Sequence, residues 1–125
     1  MVDQTHPVNW FEIPANNLER AVAFYEHVLG TKLTLHDMGP LKMAWFPGTP
    51  GATGATGSLV QAESYVPSHQ GSLLYFSVPD IEAALKKVPE KGGRVLHGKK
   101  SIGEYGFVAH FEDCEGNRVA LHATE

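Results

Sequence analysis

Hydrophobic and polar residues along this chain repeat one arrangement of strand and helix patterns twice. Each copy opens with a short run that ends in proline, at residues 11–14 (Phe-Glu-Ile-Pro) and at residues 76–79 (Phe-Ser-Val-Pro). A stretch with apolar residues at helical spacing follows each run, at residues 18–29 and 81–88. The second copy follows the first by about 65 residues. Because an internal repeat indicates a repeated structural unit, the sequence predicts two strand–helix–strand halves with a cleft between them.

The same patterning predicts the individual elements and their ends. Strands are predicted at residues 8–13, 31–36, 41–46, 58–62, 72–78, 94–97, 107–112 and 118–122. Asn16 is the predicted N-cap of the first helix, Glu19 completes a capping box, and Gly30 is the predicted C-cap. The glycine-rich segment 48–57 is either a lid or a long turn. Residues 113–117 (Asp-Cys-Glu-Gly-Asn) predict a tight hairpin between the last two strands.

Composition and charge narrow the classes of function. The 125 residues suit one domain, and 42% of them are hydrophobic, which is enough for a core. The formal net charge is −4 and there is no basic stripe, so nucleic acid is not an expected partner. No apolar run reaches the roughly 18 residues that a membrane span needs, and the amino terminus lacks a secretory pattern. The single cysteine, Cys114, cannot form an intrachain disulfide, which favours a cytoplasmic location.

The most specific motifs lie at the first helix and at the last hairpin. Residues 18–25 read Leu-Glu-Arg-Ala-Val-Ala-Phe-Tyr, and residues 111–117 read Phe-Glu-Asp-Cys-Glu-Gly-Asn. With these motifs the chain resembles the vicinal oxygen chelate superfamily, which includes glyoxalase I, bleomycin-resistance proteins and extradiol dioxygenases. Cys114 stands where the family motif has proline. The resemblance extends over nearly the whole chain.

This resemblance implies an α+β fold and a ligand of small size. The implied architecture is a single domain of two βαβββ modules, at about residues 6–62 and 72–125, which form a curled mixed β-sheet around a cup-shaped cleft. Small organic molecules are the implied partners, and members with one domain pair as homodimers. The superfamily hosts many reactions, so the fold alone does not name one.

The resemblance also implies where a metal would lie. In the metal-using members, a divalent cation in the cup is held by the first and last strands of each module. The corresponding positions here are Val8, Leu73 and Ala120, and the fourth lies near Val60 or Gln61. Apolar side chains cannot ligate a cation that binds oxygen or imidazole. We therefore expect no metal at the usual site and no other cofactor.

Alternation along the last hairpin predicts which polar side chains face the cup. If Glu112 lies opposite Arg118, then His110 lies opposite Ala120, and His122 shares their face. Because Ala120 holds a position that faces the cup in the family, both histidines are expected to face it as well. The other five histidines show no pattern of partners and are expected on the surface.

Further candidates come from the neighbouring strands and the rim. Trp10 and Glu12 share the cup face of the first strand, and Tyr75 shares that of the strand that opens the second copy. Trp45 is expected on the third strand and Glu104 at the rim. The candidate catalytic residues are thus Glu12, His110 and His122, and the candidate ligand-binding residues are Trp10, Trp45, Tyr75 and Glu104.

The sequence leaves an enzyme and a binding protein open. Each candidate also has a structural interpretation: the histidines as bonded sheet residues, Glu12 as the partner of a basic side chain, the tryptophans as core or interface. An enzyme would be a lyase, an isomerase or a dioxygenase that uses acid–base groups, or a divalent metal (Fe, Zn, Ni or Mn) on a shifted set of His110, His122 and Glu12. A binder would sequester its ligand without a metal, like the bleomycin-resistance branch.

Overall fold

Two four-stranded mixed sheets, each carrying one α-helix, make up the fold. The computed structural model describes residues 6–49 and 51–125. The first module comprises β1 (Trp10–Pro14), α1 (Leu18–Leu29), β2 (Thr34–Met38), β3 (Leu41–Trp45) and β4 (Thr56–Gln61). The second comprises β5 (Tyr75–Ser77), α2 (Ile81–Lys87), β6 (Arg94–Ser101), β7 (Phe107–Glu112) and β8 (Arg118–Ala123). The predicted α+β fold of two βαβββ modules around a curled, unclosed sheet is confirmed.

Both sheets have the same strand order. It is β1-β4-β3-β2 in the first module and β5-β8-β7-β6 in the second. The first and last strands of each module run parallel, and the other neighbours are antiparallel. Trp10 lies opposite Thr56, and Tyr75 lies opposite Ala120. Since Trp10 and Tyr75 are equivalent positions of the repeat, Thr56 is the equivalent of Ala120 in the first module.

One hydrophobic core draws residues from both modules and both helices. Its aromatic rings meet across the junction: Phe11 of β1 lies 5.6 Å from Phe76 of β5, and Tyr25 of α1 lies 6.0 Å from the same ring. Phe24 of α1 packs 5.8 Å from Phe111 of β7. Burial of such side chains stabilises the fold by roughly 1.5–3 kcal/mol each, so the two modules stabilise each other.

The N-cap of α1 lies one residue later than the sequence predicted. Asn17 is the cap, and its side chain accepts a hydrogen bond from the backbone N–H of Arg20 at 3.1 Å. The predicted cap, Asn16, does not have this role, and the capping box with Glu19 does not form, because Arg20 is the third residue after the cap. Gly30 ends the helix with φ of 67°, as predicted.

Residues 113–117, the hairpin turn between β7 and β8, fasten the second module to the first. Asp113 is buried and accepts a hydrogen bond from the phenol of Tyr25 at 2.6 Å. Asn117 donates to the backbone carbonyl of Pro14 at 2.8 Å. Glu115 accepts two backbone N–H groups at the start of α1, at 2.7 and 2.8 Å. The motif that carries the family resemblance is therefore a structural clasp between the modules.

Burial controls the ionisation of this clasp. It raises the pKa of Tyr25 well above the ordinary phenol value, and the neighbouring Asp113 raises it further. Burial also raises the pKa of Asp113, although hydrogen bonds from Tyr25 and Asn117 oppose that shift. Burial and the adjacent Glu115 raise the pKa of Cys114 to about 12. The Cys114 thiol therefore stays protonated and is a poor nucleophile.

Several strand boundaries differ from the prediction. Strand β4 starts at Thr56, so the last two residues of segment 48–57 belong to a strand rather than to a loop. Glycine is needed at position 57, because a Cβ there would lie 2.2 Å from the backbone oxygen of Phe11. Residue 50 of the same segment lies outside the described residues. Strand β5 is shorter than predicted, and β6 runs on to Ser101 through two irregularities. No helix among the described residues is long and apolar enough to cross a membrane.

Candidate functional site

The β7–β8 hairpin has the register that alternation predicted. His110 lies opposite Ala120, and Glu112 lies opposite Arg118. The intervening residues of these strands, such as Phe111, are buried in the core. His110, Arg118 and His122 therefore lie on the opposite face, which is the cup face.

On the first strand, Glu12 is exposed and hydrogen-bonded to aromatic side chains. Its carboxylate accepts the phenol of Tyr65 at 2.6 Å and the indole N–H of Trp10 at 3.3 Å. The hydrogen bond to Glu12 raises the pKa of Tyr65. No lysine or arginine pairs with Glu12 within the part of the chain that the structure describes.

Three aromatic side chains stand together on the cup side of the first sheet. The rings of Trp10 and Trp45 meet edge to face with centroids 5.3 Å apart. The imidazole of His36 stacks on Trp45 at 3.9 Å. The two candidate tryptophans are thus neighbours, and His36, which was expected on the surface, joins them.

His110 is the centre of a polar cluster on the second sheet. Its Nδ1 accepts hydrogen bonds from the guanidinium of Arg118, at 2.8 Å from Nη2 and 3.3 Å from Nε. Its Nε2 lies 3.5 Å from the hydroxyl of Tyr75, and its ring lies 5.6 Å from that of His97. Burial, Arg118 and His97 all lower the pKa of His110. The imidazole is therefore neutral at pH 7 and carries its proton on Nε2.

The other two site residues predicted in the second module, His122 and Glu104, lie outside the polar cluster around His110. His122 bonds through Nε2 to the backbone oxygen of Tyr105 at 2.6 Å. Glu104 is exposed within the 3-10 turn Gly103–Tyr105. His122 thus ties β8 to this turn.

Two cavities divide the cup face. The larger, of about 550 Å³, lies between β1 and the start of β5 and β8. Val8, Trp10, Glu12, Leu73 and Arg118 are among its walls. The smaller, of about 260 Å³, is lined by His97, Gly98, Lys100, Ile102, Val108, Ala109, His110 and Arg118. Arg118 is thus shared by both cavities. A further cavity of about 510 Å³ at the start of α1 is lined by His36 and Gln61 but by none of the candidate catalytic or ligand-binding residues.

A sequence profile identifies the family to which this architecture belongs. The profile of the Glyoxalase/Bleomycin resistance protein/Dioxygenase superfamily matches residues 7–121. The chain belongs to this superfamily. A glyoxylase-like domain-containing protein from Didymella fabae is 30% identical to it over 118 residues, which cover 91% of either chain.

Solved structures of the superfamily share the fold. A glyoxalase/bleomycin resistance protein from Streptomyces sp. has a TM-score of 0.67 and 26% identity, covering 92% of this chain and 99% of that one. A glyoxalase I variant from Zea mays has a TM-score of 0.70 and 20% identity, covering 99% of this chain and 48% of that one. The second likeness concerns the fold alone.

The side chains at the metal positions of the superfamily do not fit a divalent cation. Val8, Leu73 and Ala120, the positions that the family resemblance assigns to the metal, carry no ligand atom. Near the fourth position, which the resemblance puts at Val60 or Gln61, the register makes Thr56 the equivalent of Ala120. The hydroxyl of Thr56 lies within hydrogen-bond distance of the backbone oxygens of residues 46 and 47, at 3.1 and 2.8 Å. The carboxamide oxygen of Gln61 accepts the first N–H of α1 at 2.7 Å. None of these groups is arranged as a ligand.

The shifted set does not form a metal centre either. Within residues 6–49 and 51–125, no group of three or more His, Cys, Asp and Glu side chains could hold a metal ion. Glu12 lines the larger cavity, His110 lines the smaller one, and His122 lines neither. The three candidates share a face of the protein without converging on one point.

Besides His36, sequence reasoning missed three participants on the cup face: Arg118, Tyr65 and His97. Arg118 entered only as a register partner of Glu112, although its parity placed it on the cup face. Tyr65 lies in the segment between the modules, where no periodic pattern fixes a direction. His97 lies beside an irregularity of β6, and an irregularity breaks the alternation on which the inference rests.

Proposed function

We propose that this protein binds a small organic molecule in the larger cavity of the cup, independently of a divalent metal. The observation that carries the proposal is the position of this cavity. It is lined by Val8 and Leu73, the residues that the family resemblance aligns with metal-holding positions of other members. A volume of about 550 Å³ with mixed apolar and polar walls suits a compact ligand. Apolar contacts to the body of the ligand take the place of metal ligation.

The polar groups of the cavity support recognition of the ligand. Glu12 accepts hydrogen bonds from Tyr65 and Trp10, and a carboxylate has further acceptor positions for a hydroxyl or amine of the ligand. The indole of Trp10 supplies a flat apolar wall beside it.

The hydrogen bonds of His110 and His122 fit a protein that sequesters its ligand better than one that uses these histidines in acid–base catalysis. A neutral imidazole has one lone pair, and Arg118 occupies that of His110. His122 is engaged with a backbone carbonyl. His122 lines neither cavity and His110 lines only the smaller one, so neither histidine is placed to accept a proton from a ligand in the larger cavity. These contacts support a ligand-binding role, like that of the bleomycin-resistance branch, over acid–base catalysis.

The proposal includes a homodimer, as the family resemblance implies. Val8 and Tyr75 on the cup side are 59% and 50% exposed, and a partner subunit would cover such side chains. Light scattering during size-exclusion chromatography tests this part. A mass of twice 13.6 kDa supports it, and a mass of 13.6 kDa contradicts it.

Fluorescence of the neutral probe N-phenyl-1-naphthylamine tests binding in the larger cavity. The probe brightens when it enters an apolar site. We expect saturable binding that is the same in EDTA and in added Zn²⁺, Ni²⁺ or Mn²⁺. The variant Leu73→Trp fills the cavity and should weaken binding by about tenfold or more.

Val95→Trp is the matched control, because Val95 is 40% exposed on β6 and lies in neither cavity lining. This control should bind the probe like the wild type. Binding that requires a divalent ion, or that survives Leu73→Trp unchanged, contradicts the proposal.

A further inference from the structure

The charge of Arg118 is not neutralised by a carboxylate of the described chain. Its cross-strand neighbour is Glu112, which lies directly opposite on the same face. Glu112 is engaged elsewhere, with His69 at 2.6 Å and Arg94 at 3.3 Å. Among the described residues, the ion pairs do not include Arg118. This arrangement is unusual, because a half-buried arginine in a sheet normally pairs with a nearby acid.

The partner that Arg118 does have leaves its charge intact. The Nε and Nη2 groups donate to a single neutral acceptor, Nδ1 of His110. Nη1 makes no hydrogen bond to the described residues. Because the guanidinium is planar and the imidazole fixes one edge of it, the remaining N–H donors point in defined directions.

The smaller cavity beside this guanidinium contains a second cation, Lys100, and no carboxylate. His97 and His110 also line it. The pKa of His110 is lowered partly by the charge of Arg118, as an uncompensated cation would do. The protein as a whole carries a net charge of −4, so this local excess is not a general property of the surface.

The larger cavity contributes apolar walls to the same guanidinium. Arg118 stands at its edge, together with Val8, Leu73 and Leu74. A molecule with an anionic head and an apolar body can therefore place the head on the donors of Arg118 and the body against these side chains. Arginine binds a planar carboxylate through two parallel hydrogen bonds, which a neutral amide cannot reproduce.

We propose that the ligand is a small organic acid whose carboxylate pairs with Arg118 while its apolar part fills the larger cavity. This inference rests on the proposed function and names the class of its ligand. Glu12 on β1 lines the same cavity and disfavours a second negative charge on the ligand.

Calorimetry with matched acids and amides tests the inference. The probes are phenylacetate and hexanoate, with phenylacetamide and hexanamide as neutral controls of the same shape. We expect each acid to bind the wild type about tenfold or more tightly than its amide. Arg118→Gln should abolish the difference, and Arg118→Lys should keep part of it. Lys86→Gln is the control, because it removes one exposed positive charge on α2 and Lys86 lines neither cavity.

Histidine resonances provide a second measurement that a purely structural role of Arg118 would not affect. An anion beside Arg118 should raise the pKa of His110, and the amides should leave it unchanged. Equal affinity for acid and amide, with both displacing N-phenyl-1-naphthylamine, overturns this inference and leaves the proposed function standing. The inference is also overturned if the acids bind without changing the pKa of His110 and if Arg118→Gln leaves their binding unaffected. Failure of all four probes and of N-phenyl-1-naphthylamine overturns both.

Discussion

Arg118 of β8 donates a hydrogen bond to Nδ1 of His110 at 2.8 Å. His110 lies on the neighbouring strand β7, two residues before Glu112, which is the residue directly opposite Arg118. This contact sets the protonation state of His110 and leaves Arg118 as a cation on the cup face. The imidazole is held neutral with its proton on Nε2, and the guanidinium keeps its positive charge. Alternation predicted two candidate bases on this face, His110 and His122. In the structure, His110 is instead the hydrogen-bond acceptor of a cation, Arg118.

The first prediction concerns the pKa of His110. Burial, Arg118 and His97 lower it, so His110 should titrate below the usual histidine value of about 6.5. Arg118→Gln should raise this pKa without restoring it fully, because burial remains. Histidine resonances followed against pH measure both values. A pKa of His110 at or above the usual value in the wild type contradicts the account.

The same shift has a consequence for stability. Because the pKa is lower in the folded protein, the unfolded chain binds more protons between the two values. The contribution of His110 is therefore fully present above about pH 6.5 and is lost as the pH falls toward the folded pKa. The free energy of unfolding should decline less steeply over this range in Arg118→Gln than in the wild type.

A second prediction concerns Glu115 in the clasp. Burial alone would raise its pKa, but hydrogen bonds from Arg20 and the N–H groups at the start of α1 outweigh burial and lower it. Glu115→Gln should cost about 1–3 kcal/mol at neutral pH. Because the folded pKa is depressed, this advantage is present above about pH 4.5 and is lost as the pH falls through the folded pKa.

Urea unfolding of the wild type and Glu115→Gln at several pH values measures the difference. The two curves should approach each other in acid. Glu63→Gln serves as the control, because Glu63 is exposed, and it should match the wild type within about 0.5 kcal/mol. A gap between wild type and Glu115→Gln that is constant with pH would show that Glu115 acts without its charge.

A third prediction concerns the buried bond between Tyr25 and Asp113. Tyr25→Phe leaves a buried carboxylate without its 2.6 Å donor, and we expect a loss of about 1–3 kcal/mol in the free energy of unfolding. Tyr105→Phe removes a hydroxyl from a residue that is 71% exposed and should change stability by less than about 0.5 kcal/mol. Equal effects of the two variants in urea unfolding would argue against the clasp.

A fourth prediction tests the close approach of β1 and β4. Gly57→Ala places a Cβ against the backbone oxygen of Phe11, which cannot move away without breaking the ladder. We expect a loss of at least about 1–3 kcal/mol. Gly98→Ala on β6 meets no atom within 4 Å and should be close to neutral. Thermal unfolding of both variants compares the two, and a tolerated Gly57→Ala would mean that this strand pair is wider than described.

Most of the fold was readable from the sequence, because its signals are local and repeated. Helix α1 keeps its predicted bounds, since its apolar spacing and Gly30 are visible in the sequence itself. The register of the last hairpin was also predictable, because a tight turn sets which residues face each other. The cap at Asn17 was not, because Glu115, a residue remote in sequence, binds the backbone beside it.

The candidate site was predicted only in part, for a physical reason. Alternation says which face a side chain occupies, and it placed His110 and His122 on one face. It does not say which groups converge, and those two histidines bond to different partners. Arg118 was passed over because a charged residue beside Glu112 reads as its ion-pair partner, and only the positions of His69 and Arg94 show that Glu112 is already engaged.

Mapping the bound probe by nuclear magnetic resonance tests the central claim most directly. Isotope-labelled protein is titrated with N-phenyl-1-naphthylamine in the presence of EDTA, and backbone shifts are followed. We predict saturable changes at the larger cavity, at Val8, Glu12, Leu73 and Arg118. Changes confined to the cavity at the start of α1, or changes that appear only after a divalent metal is added, would contradict metal-independent binding in the cup.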